Sequence, residues 1–206
     1  MMTKEEKLIE ISKIVTEHRS KLQGAIENRM VEMVADSNEH YLVYGALGMP
    51  ENEHALIDKY QNVGRFVYKY AGSLLERMAQ IALGGEAIYI TNTISSQPKQ
   101  FEIDCYTEWD NKAHEIKWRD ATTDGDHKNK ENNKVKCIVS EGLIPVRVMF
   151  FMPERTQARK IQERIISIFK EQGEAYIGEE AFEYIKDYSG IDIKEILNEE
   201  MKSLRL

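Results

Sequence analysis

Residues 101–109, FEIDCYTEW, alternate apolar and polar side chains without a break. Phe101, Ile103, Cys105, Thr107 and Trp109 fall on one face, and Glu102, Asp104, Tyr106 and Glu108 on the other. That period of two is the signature of a half-buried strand. Asp110-Asn111-Lys112 supplies turn residues. Residues 114–120, HEIKWRD, then resume the alternation, with Ile116 and Trp118 on one side and Glu115, Lys117 and Arg119 on the other. The pattern predicts a β-hairpin whose polar side carries Asp104, Glu115 and Lys117 together.

Working outward, the chain before the hairpin is helical. Leu8, Ile11, Ile14 and Val15 recur at helical spacing, as do Ile26, Met30, Met33 and Val34. Gly45, Gly48 and Pro50 mark a loop. Val63, Phe66, Val67, Tyr70, Leu74, Leu75, Met78 and Ile81 then line a long helix, with Glu76 inside it, which Gly84-Gly85 stops. Residues 88–100 read as β-rich and then loop-like, since Pro98 excludes a central strand.

After the hairpin, residues 120–136 are polar and turn-rich, as expected of a loop and a short helix rather than core. Ile144–Met152 reads as a buried strand that Pro153 ends, feeding an amphipathic helix with Ala158, Ile161, Ile165, Ile166 and Phe169 on its apolar side. The acidic C-terminal part is helical, broken at Gly190, with Ile193, Ile196, Leu197 and Met201 as its stripe. These elements predict an α/β fold, a central mixed β-sheet flanked by helices with additional N- and C-terminal helices. The expected organisation is one domain over residues 1–206. N-terminal helices occupy 1–87, the hairpin, loop, strand and helix 88–170, and C-terminal helices 171–206.

A chain of 206 residues with 42% apolar content can bury a full core. No stretch approaches the roughly 18 apolar residues of a membrane span, and the charged start, MMTKEEKLIEISKIV, is unlike a signal peptide. The reading is a cytoplasmic protein with no membrane partner. Cys105 and Cys137 lack a second pair or a histidine at ligand spacing, against both a zinc site and a disulfide framework. The net charge of −7 argues against phosphate binding until its distribution is considered. Residues 112–170 hold 13 Lys and Arg against 8 Asp and Glu, so a basic middle lies between acidic ends. Scatter over solvated faces explains the same numbers equally well. There is no Gly-rich phosphate loop, G-x-S-x-G elbow or H-E-x-x-H pair. The five histidines have no mutual metal spacing, and Tyr60, Tyr68 and Tyr70 read as core packing residues in preference to base-stacking ones.

Two carboxylates on adjacent strands form an oxygen-rich site suited to a hard cation such as Mg²⁺. A lysine beside them can orient the attacking water and offset the charge developing in phosphodiester hydrolysis. The competing reading is a hairpin whose wet face is simply solvated, because D-x10-E-x-K is a short pattern. A non-catalytic DNA-binding module with a nuclease-like fold, and a helical interaction protein pairing through its C-terminal stripe, are the other readings. Mg²⁺-dependent turnover and DNA affinity separate the three.

The string IDCYTEWDNKAHEIKWRDATTDGDH, residues 103–127, resembles the active-site region of the PD-(D/E)XK nuclease superfamily, and more narrowly that of ApaLI-like type II restriction endonucleases. The resemblance implies a Mg²⁺-dependent endonuclease that cuts double-stranded DNA at a specific palindromic site and works as a homodimer. It implies Asp104, Glu115 and Ile116 as metal ligands and Lys117 as the catalytic lysine, with Glu76 matching the acidic residue that many members carry on the preceding helix. Ile103 stands where the family usually has proline. The expected DNA-reading residues are Arg119, Asp120, Thr122, Thr123, Asp124, Asp126, His127 and Lys128. Asp120, Thr122 and Asp124 equally suit helix capping or turns. Arg147, Arg155, Arg159, Lys160 and Arg164 are candidates for phosphate contact.

Overall fold

A computed structural model describes residues 2–119 and 126–204. Its elements run in the order α1 (Lys4–Ala35), α2 (Tyr41–Ala46), α3 (Glu51–Leu83), β1 (Glu86–Thr91), β2 (Gln100–Thr107), β3 (Lys112–Lys117), α4 (His127–Ser140), β4 (Ile144–Met149), α5 (Thr156–Gln172), β5 (Glu174–Ile177), α6 (Glu179–Ser189) and α7 (Ile193–Ser203). They divide into two compact units, one of Met1–Ile11 with Leu75–Leu206 and one of Ser12–Leu74.

The first unit is built on a mixed sheet in the order β1-β2-β3-β4-β5. The predicted hairpin forms, with Cys105 opposite His114 and Thr107 opposite Lys112. It is shorter than its alternation, because β2 ends at Thr107 and Trp109 lies exposed in the turn. From β3 onward the pairing is parallel, Glu115 facing Arg147 and Val148 facing Tyr176. Parallel neighbours require crossover connections, which α4 and α5 provide. Both pack on β4 and on each other. His114 and Glu115 project to opposite faces of β3. Tyr184 of α6 reaches the first and Lys134 of α4 the second. The middle strand is therefore covered on both sides, and His114, Glu115 and Ile116 are all buried.

Two expectations are corrected here. The short helix expected within residues 120–136 forms and continues to Ser140, but it is part of the core, because its inner face places Glu131, Lys134, Val135, Cys137 and Ile138 in the interior. The region after residue 171 is not purely helical, since Glu174–Ile177 adds the fifth strand. Cys105 and Cys137 are free and buried.

The end of α3 sets the entry into the sheet. Gly84 takes φ +79°, and its N–H donates to Gln80 O at 2.9 Å, a left-handed helix terminus. Gly85 passes so near β2 that a Cβ there would sit 2.2 Å from Tyr106 O. On the same side Lys7 of α1 donates to Ala82 O at 2.8 Å.

The second unit is helical. Asp58 of α3 binds His40 Nε2 at 2.8 Å and accepts from the Tyr44 hydroxyl at 2.8 Å, tying the short α2 region to α3. No residue of α2 is buried. Tyr60 and Tyr68 are exposed, which corrects their expected packing role, while Tyr70 is half-buried and meets His18 edge-on. Among the described residues no helix is long and apolar enough to cross a membrane.

Candidate active site

Asp104 leaves the polar face of β2 at the point where registered pairing with β3 stops. Its Oδ2 accepts the Ile116 N–H at 2.7 Å, so a side chain replaces a ladder bond and holds the carboxylate against the neighbouring strand. Gln80 of α3 supports the same residue from behind, donating through Nε2 to Asp104 O at 3.1 Å. Directly after Ile116, Lys117 turns its ammonium between Asp104 and Glu115. Nζ lies 3.2 Å from Asp104 Oδ2 and 2.7 Å from Glu115 Oε1. The other Glu115 oxygen, Oε2, is bonded by Lys134 of α4. Asp104 and Glu115, picked out by spacing together with Lys117, are thus joined through the Lys117 ammonium.

Burial and charge set opposite directions on the two acids. Glu115 is 2% exposed. Burial alone would raise its carboxyl, but the Lys117 and Lys134 ammoniums hold it well below the usual carboxylate range. Asp104 is raised, by burial first and by the Glu115 charge second. Lys117 is raised in turn: burial would lower it, and the Glu115 and Asp104 carboxylates more than reverse that. Glu76, half-buried on α3, is pushed up to about 7 by burial, with Lys117 drawing it down and Asp104 and Glu115 adding to the rise. The helical acid therefore joins the cluster electrostatically.

The donor set suits a hard cation. Among the described residues no three His, Cys, Asp or Glu side chains converge on one metal-sized point. Mg²⁺ asks for less, needing one or two carboxylates with water completing the shell. The oxygens of Asp104 and Glu115 both bond one positive charge, the Lys117 ammonium. Ile116 is fully buried and has no side-chain donor, so only its main chain is available to a metal.

Lys134 was not among the residues that spacing identified, nor was the buried network beside it. Arg147, 0% exposed, donates to Glu131 Oε2 at 3.1 Å and to Gln162 Oε1 at 2.8 Å, and stacks 5.6 Å over Phe169. Arg147 thus cannot reach a phosphate, and the expectation that it would is corrected. The available signal was helical spacing, with Glu131, Lys134, Val135 and Ile138 sharing a side of α4.

The expected DNA-reading residues are only partly placed. Arg119 is half-buried just beyond β3. Asp126 is exposed at the start of α4, 3.7 Å from Lys130, and Lys128 is half-buried in the first turn. Asp120, Thr122, Thr123 and Asp124 lie outside the described residues, as does the His127 side chain. Arg155, Arg159, Lys160 and Arg164 are exposed on and before the first turns of α5, with Arg159 engaged by Glu154 and Glu163.

A family model described as ApaLI-like restriction endonuclease matches residues 2–202 of the chain. No curated protein and no solved structure matches it.

Proposed function

The chain belongs to the ApaLI-like restriction endonuclease family, and from that premise we propose a Mg²⁺-dependent enzyme that hydrolyses double-stranded DNA at a specific palindromic site. The observation that carries this is the Lys117 ammonium bonded at once to Asp104 and Glu115. Asp104, Glu115 and the Ile116 main chain would hold the metal. When bound, the ion polarises the phosphoryl oxygen and lowers the pKa of water.

The remaining work falls to the protein's own groups. Lys117, kept charged by its two acids, donates a hydrogen bond to a non-bridging phosphate oxygen and offsets the negative charge that grows there. Glu76, poised near neutrality, accepts a proton from the attacking water. The water oxygen forms the new P–O bond, the bond to the leaving sugar oxygen breaks, and that oxygen takes a proton from solvent. The Ile116 N–H and Gln80 keep Asp104 aimed. DNA approaches by way of the segment after β3, Arg119 to Lys128, and the exposed cations of α5.

A palindromic site calls for a two-fold symmetric protein. Val31, Val34, Leu42 and Leu47 leave the helical unit with exposed apolar surface of the kind that association covers, and we place the homodimer contact there.

Incubation of plasmid DNA with the protein, in Mg²⁺ and in EDTA, tests the reading. Discrete Mg²⁺-dependent fragments are expected. Lys117→Ala should lower cleavage by about a thousandfold or more with an unchanged far-UV spectrum. Retained cutting by that variant would remove Lys117 from the mechanism.

A further inference from the structure

Glu115 has two carboxylate oxygens and two ammoniums, one on each. The roles of these cations differ. Lys117 divides itself between Glu115 and Asp104. Lys134 is 8% exposed, comes from a different element, and among the described residues is bonded to Glu115 alone. Its neighbour on the same side of α4, Glu131, is bonded to Arg147. An ionised carboxylate at 2% exposure is strongly destabilising without compensation, and half a share of Lys117 does not balance it.

We propose that Lys134 is a positioning residue, the resident counter-ion of Glu115, which fixes the carboxylate in the metal-free protein and competes with a divalent cation for its Oε2. This rests on the metal-site reading above. The physical argument is one of charge. A dication arriving at Asp104 and Glu115 enters a site that already holds two positive charges. Like charges a few ångströms apart in a partly buried site repel by an amount that easily exceeds a factor of ten in affinity. Lys134 therefore sets the metal affinity lower than its ligands alone would give. Removal of Lys134 also loosens Glu115, but Lys117 still bonds that carboxylate, so the lost repulsion of the dication outweighs the loosening; a lysine that only held Glu115 in place would leave binding weaker when removed.

The test uses full-length wild type, Lys134→Met, Lys134→Arg, Glu115→Gln and the Lys134→Met/Glu115→Gln double variant. Mn²⁺ binding by calorimetry is measured beside thermal melting in EDTA. Lys134→Met should bind Mn²⁺ about tenfold more tightly or better while melting at lower temperature in EDTA. Lys134→Arg should return both toward wild type. In the double variant no buried charge is left alone, so its melting loss should fall well short of the two single losses added. Mn²⁺ affinity that is unchanged or weaker in Lys134→Met overturns the proposal. If neither wild type nor Lys134→Met binds Mn²⁺, the metal-site reading fails, and the melts in EDTA decide the counter-ion. Non-additive losses uphold it and additive losses overturn it.

Discussion

The two units invert one another. In the α/β unit charge is taken inside, with Glu115, Glu131, Lys134 and Arg147 all buried and each bonded to another charged group. In the helical unit apolar surface is left outside, with Val34 88% and Leu42 81% exposed and Val31, Leu47 and Tyr60 exposed as well. Buried ion pairs are poor stabilisers compared with apolar packing, and exposed aliphatics contribute little to a lone chain. Neither arrangement is the most stable use of its residues. The first gains an ordered set of carboxylates, the second a surface that another molecule can cover.

The comparison is broken most forcefully at Arg147. Arg147→Met strands Glu131 in the interior and should destabilise the protein by about 3–5 kcal/mol, read from urea unfolding. Adding Glu131→Gln should recover much of that loss. If the single variant matches wild type, the interior charges of the α/β unit are not structurally coupled. A smaller effect, about 1 kcal/mol, belongs to Asp110 in the turn between β2 and β3. Burial alone would raise its carboxyl, but hydrogen bonds from Thr107, Tyr188 and the Lys112 N–H together take it below the usual value. A lowered folded pKa stabilises above the unfolded value, near 3.9, and that contribution disappears as pH falls through the folded one. The stability gap between wild type and Asp110→Asn should therefore be full at pH 6 and close progressively below about pH 4. A gap that widens in acid would reverse the sign. The smallest effect is expected on the other side of the comparison. Leu42→Ser or Val34→Ser should change the unfolding free energy of a dilute, monomeric sample by no more than about 0.5 kcal/mol. Sedimentation at higher concentration should nonetheless show weaker association. A large stability loss in dilute solution would mean that this surface is already packed.

The difference between the units also explains what could be read from the chain beforehand. Alternation through residues 101–109 and 114–120 found the hairpin because apolar and polar side chains take turns in both stretches, and two-residue spacing then placed Glu115 and Lys117 together. Glu174–Ile177 escaped notice because four residues carry too short a period to separate strand from helix. The buried side of α4 was hidden for another reason: Glu131 and Lys134 look like solvated positions, and only their bonded partners, Arg147 at 16 residues from Glu131 and Glu115 at 19 from Lys134, make them interior. Helical periodicity in Val63–Tyr70 correctly indicated a helix yet could not say that Val67 and Tyr68 stay in water. Pattern reports which side chains share a side. Whether anything covers that side depends on partners far off in sequence.

The bond from Ile116 N–H to Asp104 Oδ2 has a spectroscopic consequence. One main-chain amide, near the end of β3, is wired to a carboxylate at the heart of the site. An amide proton bonded to an anion is more polarised than one bonded to a carbonyl, so its chemical shift and its exchange with deuterium follow the acid's charge. In a nuclear magnetic resonance spectrum of the whole protein, the Ile116 cross-peak would act as a meter of Asp104, moving when the carboxylate is neutralised or recruited and staying still when it is not.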